Sequence, residues 1–182
     1  MHEEIIIAGF GGQGVLFAGQ LLAYAGMNEG RHVTWIPSYG PEMRGGTANC
    51  TTIISDEEIG APVVRRPSTA IVLNPPSMDK YAPLVKPHGL LIVDSSLIAQ
   101  QSGRTDIREI AIPAKDIAAE AGLAKAANVV AIGALIAATG IVQFETVVEL
   151  LTLKFGQRSQ EILAANKRAL RLGADYVLKL PA

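Results

Sequence analysis

Cysteine is nearly absent: Cys50 is the only one in 182 residues. A single thiol excludes an internal disulfide, a ligand set for an iron–sulfur cluster and a cysteine-rich zinc site. Histidine is almost as scarce, and His2, His32 and His88 share no ligand-like spacing. His2 lies at the N-terminus, and the other two lie in or beside turn sequences, so all three read as solvated side chains. A metal-based redox centre would have to come from another chain. Aromatic residues make up 5% of the chain and the formal net charge is −1. That is not the basic, stacking surface a nucleic acid requires. No apolar run reaches the roughly 18 residues of a membrane span. The start, Met1-His2-Glu3-Glu4, has no basic segment of a secretory signal, and the expected location is the cytoplasm.

What is abundant is hydrophobic surface and glycine. Hydrophobic residues are 49% of the chain, high for a soluble domain, and part of that surface is expected to cover an interface. The length suits one α/β domain spanning residues 1–182. Its first apolar run passes directly into a glycine turn, Ile5-Ile6-Ile7-Ala8-Gly9-Phe10-Gly11-Gly12-Gln13-Gly14, and then into a helical pattern over Val15–Ala25. Strand, glycine turn and helix in that order make a cradle for a phosphate-bearing ligand. Glycines admit the ligand close to the backbone, and the helix start directs N–H groups and a positive dipole end at it.

Further buried strands are expected at His32–Ile36, Thr69–Leu73 and Leu90–Val93, with a weaker one at Arg108–Ile112. The first four strands each run into a turn cluster: the glycine turn, Pro37-Ser38-Tyr39-Gly40, Asn74-Pro75-Pro76-Ser77 and Asp94-Ser95-Ser96. Ligands of open parallel sheets bind beyond the carboxyl ends of strands, so these clusters are expected around one crevice. Thr47–Ser55, the polar Asp56-Glu57-Glu58 and Ile59–Val64 read as a β-hairpin extending the sheet. After Pro113 the pattern is helical over Ala114–Ala121, Asn128–Ala138, Glu145–Phe155 and Ser159–Leu172, with Gly122, Gly140, Gly156 and Gly173 as ends. Gly133 is placed for close helix packing. The fold class is thus α/β: a Rossmann-like open, mainly parallel sheet flanked by helices, with a hairpin extension and a helical C-terminal region.

Gly9, Gly11 and Gly14 fit the spacing G-x-G-x-x-G, with Gly12 between them. The acid that grips a ribose at the end of the second strand in nicotinamide and flavin sites is absent. Trp35-Ile36-Pro37-Ser38 stands there, with no arginine for a 2′-phosphate. Phosphate binding remains the favoured reading; glycines serving only strand–helix packing is the other. Gln13 has two readings, a ligand contact or a bond that steadies the turn. Ser38–Gly46 forms a second polar loop in which Arg44 either meets a phosphate or a partner's carboxylate, or pairs with Glu42. Asn74 and Asp94 either complete the pocket or cap turns. Cys50 reads as a small strand residue.

The pairing of Gly9-Phe10-Gly11-Gly12-Gln13-Gly14 with Ser38-Tyr39-Gly40-Pro41-Glu42-Met43-Arg44-Gly45-Gly46 resembles the gamma subunit of the 2-oxoacid:ferredoxin oxidoreductases. The likeness continues through Gly89–Ser95, Asn128–Leu135 and the last helix with Asn166 and Gly173, nearly the whole chain. It implies a subunit, not a complete enzyme. Thiamine diphosphate with its magnesium and the iron–sulfur clusters are expected on alpha, beta and ferredoxin-like partner subunits, with ferredoxin as electron acceptor. The resemblance implies that this chain binds the nucleotide part of coenzyme A through Gly9, Gly12 and Gln13, with Ser38 and Arg44 nearby. It assigns no catalytic residue here. The Glu42-Met43-Arg44 and Thr47-Ala48-Asn49-Cys50 wording leans towards a 2-oxoglutarate-type or general 2-oxoacid enzyme. A purely structural assembly module and a stand-alone NAD(P)-dependent reductase are the rival functions.

Overall fold

The computed structural model describes residues 1–38 and 47–181. Six strands make one mixed sheet: β1 (His2–Phe10), β2 (His32–Ser38), β3 (Thr47–Ser55), β4 (Thr69–Val72), β5 (Leu90–Asp94) and β6 (Arg108–Ile112). Their order is β2-β3-β1-β4-β5-β6. The strands β1, β4, β5 and β6 run parallel, whereas β3 runs antiparallel between β1 and β2. The edge strand β2 therefore points the same way as β1, and its end reaches the same rim of the sheet.

The hairpin expectation needs a correction. Thr47–Ser55 is a strand, but residues 59–64 form none; its partners are β1 and β2, with Trp35 opposite Thr52 and Ser38 opposite Asn49. The physical reason lies in the two stretches. Cys50, Thr52 and Ile54 are buried, whereas Gly60, Ala61, Pro62 and Val63 are exposed. Gly60 and Pro62 weaken or withhold the ladder bonds a strand needs.

Alternation along the strands divides the interior. Ile5, Ile7, Ile71 and Ile92 join a large core beneath α1 (Val15–Asn28), α3 (Ala114–Glu120), α4 (Ala127–Thr139), α5 (Phe144–Phe155) and α6 (Gln160–Leu178). Ile6, Ala8, Val72 and Leu91 face the other way, onto a smaller core with Met78 and Tyr81 of α2 (Pro75–Tyr81). Helix α2 falls within a cluster read as a turn. Asn74 caps it by accepting a hydrogen bond from the Ser77 amide at 2.8 Å, and Pro75 occupies its first turn. Both residues are helix-start signals.

Glycine sets two close approaches. A Cβ at Gly19 would overlap the Cys50 thiol, which lets α1 lie directly on β3. Gly133, expected to permit close packing, does so: a Cβ there would overlap the Leu170 carbonyl of α6. Gly173, expected to end the last helix, instead lies inside α6. It faces the Val130 carbonyl across the same contact, and the packing of α4 on α6 carries the helix past it.

Candidate functional site

The direction of the chain reverses between β1 and β4. From β1 the chain enters α1 on the large-core face and continues to β2; from β4 it enters α2 on the opposite face and continues to β5. The strand ends on either side of such a reversal open a crevice where ligands of α/β sheets bind. The glycine turn occupies this place.

Gln13 ties the two halves of the crevice together. Its Oε1 accepts from the Phe10 amide at 2.6 Å, and its Nε2 donates to the Leu73 carbonyl at 2.9 Å, just past β4. A Cβ at Gly9 would stand 2.6 Å from that Oε1, so Gly9 leaves room for the bridge. Gly14 has φ +70° and heads α1. A Cβ there would meet Asn128 Nδ2 at 2.5 Å, and that Nδ2 donates to the Gly14 carbonyl at 3.0 Å. Asn128, 4% exposed on α4, thus clamps the turn from the other side. Gly12, at φ +96°, is different: no atom comes within 4 Å of its missing Cβ, and it fronts a cavity. Gly11 is exposed in the turn.

That cavity has a volume of about 210 Å³ and is lined by Gly12, Gln13, Asp94, Lys115, Lys125 and Ala127, among others. It joins the glycine turn to the end of β5 and the start of α4. Asp94 is 1% exposed. Its Oδ1 accepts from the amides of Ser96 at 3.1 Å and Lys115 at 3.3 Å. Its Oδ2 finds no partner among the described residues. Burial pushes the Asp94 carboxyl above the usual range, and the backbone amides of Lys115 and Ser96 pull it part of the way back.

The remaining candidates are placed as follows. Ser38 is exposed at the end of β2, on the same rim but two strand spacings from β1, roughly 10 Å. It does not line the cavity. Arg44, with the rest of the loop at 39–46, lies outside the described residues. Asn74 is buried and caps α2. Cys50 is fully buried; its thiol donates to the Val15 carbonyl at 3.4 Å and burial pushes its pKa up to about 11. Lys115 and Lys125 were not singled out by the sequence, because an exposed lysine near a helix start carries no motif. Among the described residues no group of three or more His, Cys, Asp or Glu converges to hold a metal.

A family model described as pyruvate ferredoxin/flavodoxin oxidoreductase matches residues 4–176. The chain belongs to this family. Its fold is that of the gamma-type domain: the keto/oxoacid ferredoxin oxidoreductase gamma subunit of Geobacter sulfurreducens superposes with a TM-score of 0.82 at 30% identity, covering 98% of this chain and 99% of that one. Ketoisovalerate oxidoreductase subunit VorA of Methanothermobacter thermautotrophicus is 41% identical over 175 residues, 95% of this chain but 36% of VorA. The 2-oxoglutarate synthase subunit KorC of Archaeoglobus fulgidus is 39% identical, covering 94% of this chain and 86% of KorC. A 2-oxoglutarate:ferredoxin oxidoreductase of Magnetococcus marinus, solved with 2-oxoglutarate, coenzyme A and succinyl-CoA bound, matches with a TM-score of 0.91 at 25% identity. The match covers 99% of this chain and 32% of that one. The chain thus spans about a third of the VorA relative and of the Magnetococcus chain. Among the described residues no helix is long and apolar enough to cross a membrane.

Proposed function

We propose that this chain is the gamma subunit of a 2-oxoacid:ferredoxin oxidoreductase and that its glycine turn holds the nucleotide end of coenzyme A. The observation that carries the reading is the cavity beside Gly12 and Gln13 at the reversal between β1 and β4. The turn there is fixed in advance by Gln13 and Asn128. Gly12 keeps one face of it open, as backbone approach to a phosphate requires. The absence of a ribose-binding acid at the end of β2 fits coenzyme A, whose 3′-phosphate a carboxylate there would repel. The Magnetococcus relative, with coenzyme A bound, lends support from outside the chain.

The overall reaction would be 2-oxoacid, coenzyme A and two oxidised ferredoxins giving acyl-coenzyme A, carbon dioxide, a proton and two reduced ferredoxins. Thiamine diphosphate on partner subunits would supply the carbanion chemistry, and clusters on a ferredoxin-like subunit the electron path. The donors of this chain do not suit a cluster, because Cys50 is single, buried and held protonated. Its role is to position: it holds the nucleotide so that the thiol at the far end reaches the reacting centre on a neighbouring subunit. Among the relatives, identity of 41% falls to a ketoisovalerate subunit and 34–39% to 2-oxoglutarate subunits. We therefore place a branched-chain 2-oxoacid ahead of 2-oxoglutarate as the substrate of the complex.

The test is purification of the tagged chain from its host under anaerobic conditions. The expected result is recovery with thiamine-binding partners and viologen reduction that needs both a 2-oxoacid and coenzyme A. Recovery of the chain alone, or activity indifferent to coenzyme A, would overturn the proposal. The Gln13 bonds suit an assembly module equally well, and that reading would take over if the complex forms while coenzyme A leaves the glycine turn untouched.

A further inference from the structure

The unpartnered Oδ2 of Asp94 is out of keeping with the rest of the site. Buried polar atoms are nearly always bonded, so one left free at a cavity wall calls for an explanation. The structural duty of this side chain falls on its other oxygen, which alone receives the amides of Ser96 and Lys115. An asparagine would do that work without a charge to bury. Opposite stand Lys115 and Lys125, both exposed on the rim of the same cavity and free of any ion pair among the described residues. The cavity is therefore polarised, with a hydrogen-bond acceptor on its floor and positive charge at its mouth. At about 210 Å³ it lies below the range that encloses a drug-sized ligand, and suits one part of a larger molecule.

We propose that this cavity is the subsite for a phosphate-bearing ribose: Asp94 accepts a hydrogen bond from a sugar hydroxyl on the floor, while Lys115 and Lys125 hold the phosphate at the rim. The inference rests on the reading that the glycine turn takes coenzyme A, and deepens it by assigning discrimination for the 3′-phosphate to this chain. The separation of floor from rim keeps the carboxylate off the phosphate. The raised pKa of Asp94 agrees, because a group kept in spite of a burial cost is characteristic of a binding role.

The experiment is titration of the full chain with coenzyme A and with dephospho-coenzyme A, by calorimetry and by amide chemical shifts. The wild type is expected to prefer coenzyme A about tenfold, the scale of a charge-assisted contact. The double variant Lys115→Ala, Lys125→Ala brings that preference close to one. Asp94→Asn keeps the Oδ1 bonds and turns the free acceptor into a donor. It weakens both ligands about tenfold while the melting temperature stays level or rises, an outcome that a merely structural Asp94 would not give. If coenzyme A shifts the amides of residues 9–14 but both variants bind like the wild type, the subsite is refuted and the glycine-turn reading stands. If coenzyme A moves no amide of the turn, both are refuted.

Discussion

Replacement of Gln13 by alanine tests how firmly the glycine turn is prepared for its ligand. The substitution removes two hydrogen bonds, from the Phe10 amide at 2.6 Å and to the Leu73 carbonyl at 2.9 Å. Phe10 is 37% exposed, so water reaches its amide and the first loss costs about 0.5–1 kcal/mol. Leu73 is 1% exposed, and a carbonyl stripped of its partner there costs about 1–2 kcal/mol. The sum, about 2–3 kcal/mol, corresponds to a melting temperature lower by roughly 4–12 °C in a chain of this size. Gln13→Glu separates the two bonds. Its carboxylate still accepts from Phe10 but opposes the Leu73 carbonyl, so at neutral pH it destabilises at least as much as alanine. Protonation restores a donor, so its deficit against wild type narrows as pH falls through the carboxylate range. Urea titration at pH 7 and pH 4.5 reads both effects. An alanine variant within 0.5 kcal/mol of wild type would refute the bridge, as would a glutamate variant whose deficit ignores pH.

Three more outcomes follow from the packing. Cys50, with its pKa pushed up to about 11, is expected to resist thiol reagents at pH 8 until the protein unfolds, and fast labelling under native conditions would contradict this. Because the native state holds that proton more tightly than the unfolded chain, stability from this group is complete below about pH 9. Some 2–3 kcal/mol of it is lost as pH rises to 11, and a Cys50→Ala variant should lose that share of the alkaline decline. Gly133→Ala should destabilise by about 2 kcal/mol or more in denaturant titration, because the added methyl forces α4 off the Leu170 carbonyl; the gain of about 1 kcal/mol seen at an exposed helical glycine would contradict the contact. Asn128→Ala should cost about 1–2 kcal/mol and speed amide exchange in residues 12–16, whereas unchanged exchange would mean that the Gly14 bond does not hold the turn.

The sheet was legible in the sequence because each buried strand is a short apolar run stopped by glycine, proline or asparagine. The placement of β3 was not, since pairing partners come from distance in space. Nothing in Thr47–Ser55 distinguishes a strand inserted between β1 and β2 from one paired with the stretch that follows. Helix α2 was legible in principle through Asn74 and Pro75, a cap and a first-turn proline that also suit a turn. Gly173 misled because a helix-ending glycine and a helix-packing glycine are the same letter until the neighbouring helix is known. At the site, the glycine turn was visible and one of the two readings of Gln13, the local bond, is met in the structure. The cavity was only half visible. Asp94 belonged to a recognised strand-end cluster, but Lys115 and Lys125 reach it from segments more than twenty residues further along the chain.

Hydrogen exchange on the assembled oxidoreductase tests the central claim most directly. Saturating coenzyme A should slow exchange across residues 9–16, and the 2-oxoacid alone should leave that segment unchanged. A turn that exchanges at the same rate with and without coenzyme A would contradict the account and leave the chain a subunit that only holds the assembly together.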